Sequence, residues 1–434
     1  MNIIRALLVL TMLLAASCKT TRKAGKGQPI ETKTDSQMEK APAPDIQLRE
    51  ILSESSTGLL SALYDPTLRI QIIYTQIDRT NSGNPNFSDH SFNLNDSDYF
   101  YPASTVKLPV AILALQKLNE LRIAGLNKYT TMITEAAYSG QSEVYNDPTA
   151  DDGRPTIAQY IKKILLVSDN DAFNRLYEFL GQEYINNNLH RMGYDEVQII
   201  HRLEIGMSED EYRHTNPVKF FDTSDALIFE KPLEKSKLVY TIRDTKMGEG
   251  FYRGGQLIRE PFDFSKKNRM SLKTLHSIVR SIVFPEAVPS RQRFNLTNDD
   301  YDFLRKYMSM LPRESGIGIY QTEDYWDNYV KFLFRGSEKK LTKDEVRIFN
   351  KVGDAYGFLV DAGYFVDFKN NIEFQLSAVI HSNSDKIFND DKYDYDSVGF
   401  PFMKELGKVI YKHELKRQRR NAPDLSRFRF KYSW

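Results

Sequence analysis

A chain of 434 residues, 41% hydrophobic and 27% charged, has the make-up of an ordinary globular protein and can bury one large core or two modest ones. Its net charge of +1 gives no global attraction to nucleic acid or to acidic partners, and its one cysteine, Cys18, excludes an internal disulfide. Aromatic residues make up 12% of the chain, which points to a heavy core and adhesive loops.

Taken in order, the chain begins with Arg5 ahead of an apolar run, Ala6 to Ala16, too short to span a bilayer. Ala15, Ala16 and Ser17 lead into Cys18. This resembles a bacterial lipoprotein signal peptide (residues 1–17), cleaved before Cys18 with lipid on its thiol. Leu14 lies one place further upstream than that pattern has it, and a plain secretory signal with an incidental cysteine is the alternative. Both readings imply export. With lipid, the mature protein is expected on the bacterial envelope, at the periplasmic face, anchored to the membrane without spanning it. Residues 18–45, polar and rich in Lys, Thr, Gly and Pro, read as a flexible tether, and 46–434 as one catalytic-sized domain.

From Ile46 the apolar positions Leu48, Ile51, Leu52, Leu59, Leu60 and Leu63 predict a helix ending before Asp65-Pro66. Arg69 to Asp78 alternates and is β-branched, which predicts a strand; Thr80 to Pro85 reads as a turn and Ser91 to Leu94 as a second strand. Helical patterns then run from Ser104 to Gly181, including Thr156 to Leu166 and Asp171 to Leu180. Residues 216–267 are mixed and broken by Gly248, Gly250, Gly254 and Gly255; an insertion is expected over about 220–268. Ser271 to Phe284 and Asn298 to Met310 predict helices. Asp354 to Phe368 and Asn371 to His381 predict two strands joined at Lys369-Asn370, and Gly399 to about Arg420 a closing helix. Strands at both chain ends with helices between imply a sheet built from the two termini and a helical subdomain from the middle.

The chemistry concentrates at Tyr101-Pro-Ala-Ser-Thr-Val-Lys107. Ser104 and Lys107, three apart, share a helix face, so an amine lies one turn from a hydroxyl. At a helix N-terminus the hydroxyl also meets free backbone N–H groups and the positive end of the dipole. Nucleophile, internal base and anion-stabilising backbone together suit acyl transfer. Ser-x-x-Lys alone is weak: Ser337-Glu-Lys-Lys340 repeats it in a charged stretch that reads as solvated surface. Two further motifs follow Ser104 in order, Ser168-Asp-Asn170 between two predicted helices and Lys351-Val-Gly353 at the mouth of a predicted strand. Alone, the first could be only a helix cap and the second only a turn.

The trio Ser-x-x-Lys, Ser-Asp-Asn, Lys-x-Gly resembles the class A branch of the serine β-lactamase and penicillin-binding protein superfamily, over nearly all of residues 46–415. The resemblance implies an α/β (α+β) β-lactamase/transpeptidase-like fold. It also implies a small-molecule β-lactam or peptidoglycan-related substrate, no cofactor and no metal. Ser104 would form the acyl-enzyme, Lys107 act as base when neutral, and Ser168 relay a proton to the leaving nitrogen. Asn170 would hold Lys107 and the substrate, and Lys351 would lower the pKa of Lys107. Gly353 completes the motif, and the backbone N–H groups of Ser104 and Asp354 would form the oxyanion hole. A monomer is expected. None of the seven histidines forms a pair at zinc-ligand spacing, and no Gly-x-Ser-x-Gly elbow is present.

Two departures bear on substrate and turnover. Val352 replaces the usual Thr or Ser, whose hydroxyl donates to a substrate carboxylate; losing such a bond costs about 1.5–3 kcal/mol. Arg202-Leu-Glu204 falls where class A enzymes keep their deacylating glutamate, and Thr215-Asn-Pro217 resembles that loop's exit, but Ser208 takes the place of an asparagine. Glu204 is therefore either the base that activates hydrolytic water or a surface carboxylate paired with Arg202. Phe251, Tyr252 and Arg253 in the insertion either roof the site or cover the helical subdomain. The basic tail, Lys416 to Arg420 and Arg427 to Lys431, reads as a solvated helix end followed by an edge strand, with contact to anionic lipid or cell wall as the alternative.

Overall fold

The computed structural model describes residues 45–339 and 346–432. The expected signal peptide, Cys18 and all of the tether except Asp45 lie outside the described residues. Asp45 caps α1 (Ile46–Ser53) by accepting from Leu48 N, and Ser56 caps α2 (Thr57–Tyr64) by accepting from Leu59 N. The single helix expected from Ile46 is thus two, because Ser56 offers its hydroxyl as a new cap and restarts the helix.

A five-stranded antiparallel sheet joins the chain ends, as expected. Its order is Val346–Ala355, Phe358–Asp367, Ile372–His381, Gln71–Arg79, Pro85–Phe92. Alternation sorts its side chains into two cores. Ile72, Tyr74, Ile348, Val352 and Leu376 face α1, α2 and α10 (Phe400–Lys416). Ile73, Ile77, Phe349, Val360 and Tyr364 face the helical side. There lie α3 (Lys107–Leu121), α4 (Ile157–Val167), α5 (Asn170–Leu180), α6 (Gln182–Arg191), α7 (Glu209–Arg213), α8 (Leu272–Val283) and α9 (Asn298–Ser309). Helix α3 is enclosed, with Lys107 to Gln116 all buried, so its near-continuous apolar run reflects burial on every side.

Several expectations are corrected. The second strand runs Pro85–Phe92 rather than from Ser91, its polar residues being those of a partly solvated strand at the sheet's edge. The stretch expected as one strand from Asp354 is broken at Tyr356-Gly357, where both residues take left-handed φ values of 54° and 78° and reverse the chain as a two-residue hairpin. Lys351-Val-Gly353 therefore lies inside an edge strand.

The insertion adds small sheets. Val218–Phe221 pairs with Thr131–Thr134, a strand not expected, and with Leu227–Lys231. Gly250–Arg253 pairs with Gln256–Ile258 and, in parallel, with Ile387–Phe388. The tail forms no strand over 421–432: Ser426–Phe428 is a single 3-10 turn with Phe428 buried. Arg417 and Arg419 both pair with Glu414, and Arg427 pairs with Glu286.

Candidate active site

Ser104 lies in a 3-10 turn, Ala103–Val106, that runs directly into α3, so it precedes the α-helix proper instead of opening it. Ala103 has φ 47°, a left-handed strain of the kind held in place only by surrounding structure. The i, i+3 relation survives, and Pro109 sits in the first turn of α3, where its missing N–H disrupts nothing.

Ser168 terminates α4 in the left-handed conformation (φ 58°), and Asp169 caps α5 by accepting from Ala172 N at 2.7 Å. The capping reading of the motif holds for Asp169, and the same cap turns Ser168 toward the lysines. Lys107 Nζ donates to the Ser168 carbonyl and lies 3.3 Å from Ser168 Oγ; Lys351 Nζ donates to Ser168 Oγ at 2.8 Å and to the Val352 carbonyl at 2.8 Å. Among the described residues Lys107 makes no hydrogen bond to Asn170, against expectation: its amine is taken up by Ser168. Asn170, two residues on and the first residue of α5, lines the same cavity.

Both lysines are buried. Burial pushes Lys107 down to about 7, against the opposing pull of Asp169, Asp354 and Glu204. Burial, and then the neighbouring charge of Lys107, holds Lys351 well below the ordinary lysine range. The expected lowering of Lys107 by Lys351 is corrected: burial is what depresses Lys107, and the charge effect between the two falls on Lys351.

Gly353 brings the edge strand against the serine turn. A Cβ there would meet Pro102 O at 2.7 Å, Ser104 N at 2.8 Å and Thr105 N at 2.9 Å, so only glycine permits the approach. The free side of this strand borders a cavity of about 380 Å³ lined by Ser104, Ser168, Asn170, Glu204, Val352 and Asp354. Val352 itself is 1% exposed and packs into the core shared with α10. Asp354 sits at the rim, its carboxyl pushed up by burial and held back by Lys351 and Lys107.

Glu204 has φ 60° and is solvent-exposed on the cavity wall. Its neighbours are pinned. Asn174 of α5 accepts from Leu203 N at 2.9 Å and donates to Leu203 O at 3.0 Å. Arg202 turns inward, donating to Glu178 Oε1 at 2.8 Å, His214 O at 3.0 Å and Asn216 Oδ1 at 3.1 Å. The pairing of Arg202 with Glu204 is therefore corrected: the guanidinium is spent on the buried side of the loop. Ser208 caps α7 in a reciprocal box with Glu211.

The aromatic wall was not foreseen. Trp326, Asn328, Tyr329, Val330, Phe332 and Phe400 line the cavity that Ser104 also borders. The aromatic run Tyr325-Trp326…Tyr329…Phe332 was the available signal. Asn174 gave none, since an asparagine inside a helix is unremarkable until its loop partner is known. Ser337 of the second Ser-x-x-Lys copy is exposed, at the cavity rim, while Lys340 lies outside the described residues. The insertion does not line the cavity. Phe262 and Phe264 pack on Tyr356 and Phe388, and Phe264 on Tyr101, so this segment backs the serine turn from behind.

Residues 69–244 match the family model described as "Beta-lactamase enzyme family". No curated protein matches. Among solved structures, a β-lactamase from Sphaerobacter thermophilus is 11% identical, with 82% of this chain and 97% of that one covered and a TM-score of 0.43. A β-lactamase from Chitinophaga pinensis is 12% identical, with 85% and 99% covered and a TM-score of 0.46. The structure of PBP-A is 15% identical, with 84% and 97% covered and a TM-score of 0.45. With the family match over the serine half and the antiparallel sheet closed by both chain ends, the fold is β-lactamase/transpeptidase-like, an α+β arrangement with a helical subdomain.

Proposed function

We propose that this chain is an exported serine hydrolase of class A β-lactamase type, opening β-lactam or related amide bonds through an acyl-enzyme on Ser104. The observation that carries this reading is the convergence of Lys107 and Lys351 on Ser168 beside Ser104, with Glu204 on the same cavity. Ser104 Oγ attacks the carbonyl carbon while the neutral amine of Lys107 takes its proton. The oxyanion is met by the N–H groups of Ser104 and Asp354, whose proximity Gly353 allows. Ser168, bonded to both lysines, returns the proton to the leaving nitrogen. Glu204, free of Arg202, activates the water that releases the acyl group. Lipid on Cys18 and anchoring to the envelope rest on the leader sequence alone.

A second reading, a penicillin-binding or D-alanyl peptidase-like cell-wall enzyme with slow release, is favoured by Ser208. That residue is locked in its helix cap where an asparagine would help hold the water. Intact-mass measurement with benzylpenicillin, followed over time, separates the two. An adduct on Ser104 that decays supports hydrolysis, with Glu204→Gln making it persist; an adduct that persists in the unaltered protein supports the second reading. Absence of any adduct, together with no labelling by a fluorophosphonate, defeats both and leaves a non-catalytic binding lipoprotein.

A further inference from the structure

The cavity beside Ser104 is furnished with the wrong charge for an anionic substrate. Val352, although it borders the cavity, offers no hydroxyl and is almost wholly buried. Two positions along the same strand, Asp354 lines the cavity, and Glu204 adds a second acidic residue to its lining. Among the described residues neither carboxylate has a hydrogen-bond or ion-pair partner. The lysines nearest the serine are already engaged: Lys351 donates to Ser168 and to the Val352 carbonyl, and Lys107 to Ser168. The lining also includes Trp326 and Tyr329, whose rings attract cations. Trp326 already has the exposed Lys339 ammonium 5.1 Å from its ring centre.

We propose that this site takes acyl donors with a cationic group on the leaving side, in place of a carboxylate, and that Asp354 is the residue that sets this preference. The inference rests on Ser104 forming the acyl-enzyme. A cation between the Asp354 carboxylate and the aromatic wall is attracted from both sides. A carboxylate at that point meets a like charge and finds no donor at residue 352 to offset it. Penicillins and cephalosporins, which carry that carboxylate, are then slow substrates.

Three phenylacetyl thioesters test this with one acyl group throughout: thiocholine (cationic), 2-mercaptoethanol (neutral) and thioglycolate (anionic) as leaving groups. In each, the bond from Ser104 Oγ to the acyl carbon forms as the C–S bond breaks, and the serine proton departs on the thiol. Acylation rates of the full chain, read by intact mass and each divided by the ester's uncatalysed hydrolysis rate, are expected to fall from thiocholine to thioglycolate by about tenfold or more, the effect of a single charge contact. Asp354→Asn is expected to bring the cation-to-anion ratio to within about threefold, a change that loss of overall activity cannot imitate because both rates come from one protein. Equal rates in the unaltered protein, a faster thioglycolate ester, or an unchanged ratio in Asp354→Asn overturns the inference and leaves the acyl-enzyme reading standing. Failure of the neutral ester to acylate Ser104 overturns both. The order in the unaltered protein decides the matter even if the variant does not fold.

Discussion

Gly353 lies against the backbone of Ser104, so close that a Cβ on the glycine would come within 2.8 Å of the serine nitrogen and 2.7 Å of the Pro102 carbonyl. At Gly353 the edge strand and the serine turn thus meet main chain to main chain, and that contact would set the two N–H groups that face a developing oxyanion. Adding one methyl group tests it. In Gly353→Ala the atoms that must yield are backbone, not the end of a flexible side chain. Overpacking is expected to cost about 1–3 kcal/mol of stability. Acylation is expected to fall by about a hundredfold or more, the loss typical of a displaced oxyanion donor. Thermal melting and the rate of adduct formation read the two effects separately; a rate within threefold of the unaltered protein would mean that the strand and turn are not in contact in solution.

The pH dependence follows from Lys107. Burial brings it down to about 7 while Asp169, Asp354 and Glu204 pull the other way. With the neutral amine as the proposed base, acylation should rise with pH, about tenfold per unit well below 7, and level off above it. Asp354→Asn removes one carboxylate that favours the ammonium form, so its midpoint should move to lower pH. Adduct formation followed from pH 5 to 9 checks both; a rate independent of pH across 7 would exclude Lys107 as the base.

The division between what could be read from the chain and what could not follows contact range. Ser104, Lys107, Ser168 and Lys351 were legible because each motif is short and each sits on an element with a clear period. Both sheet-forming chain ends were legible from alternation. The break at Ser56 was missed because apolar spacing continues across it while a single hydroxyl decides the restart. The hairpin at Tyr356-Gly357 was missed because apolar residues run on both sides of a two-residue turn that needs left-handed backbone. Arg202's true partner, Glu178, lies 24 residues back on α5, and no local pattern joins them. The aromatic wall escaped for the same reason: only the fold brings Trp326 and Phe400 to one cavity.

Glu178 supports the loop that carries Glu204. Its Oε1 accepts from Arg202 at 2.8 Å, and Arg175 Nη1 lies 2.9 Å from Oε2, near enough for an ion pair though off the line a hydrogen bond needs. All three side chains are at most 2% exposed. Glu178→Ala leaves two guanidinium groups with less compensation in the interior and is expected to cost about 3–5 kcal/mol. Glu178→Gln keeps an acceptor for Arg202 and should cost less. In the folded fraction the release of the acyl group should slow more than its formation, since the disturbed loop carries Glu204 and not Ser104. Chemical denaturation and a chase of the adduct by mass measure the two.

Asp361 performs a comparable service for the aromatic wall. Its carboxylate accepts from the N–H groups of Phe332 at 3.1 Å and Leu333 at 2.9 Å, and from Asn350 Nδ2 at 2.7 Å. Asn350 in turn donates to Val330 O at 3.0 Å and accepts from Lys331 Nζ at 2.6 Å. Burial pushes the Asp361 carboxyl up to about 6 and Lys331 down to about 7, and the bonds from three N–H donors keep the acid from rising further. The network ties residues 330–333 to the edge strand and its neighbour, and so holds Phe332 and Val330 at the cavity. Asp361→Ala strands two buried backbone donors, each worth about 1–3 kcal/mol when unsatisfied. Asp361→Asn retains one acceptor oxygen and should lose about half as much. Because neither residue reaches the serine, the damage should appear chiefly as a raised KM for the neutral thioester, with the saturated acylation rate changed by less than about threefold. A fall confined to the saturated rate would place the network's influence on the serine turn and not on the wall.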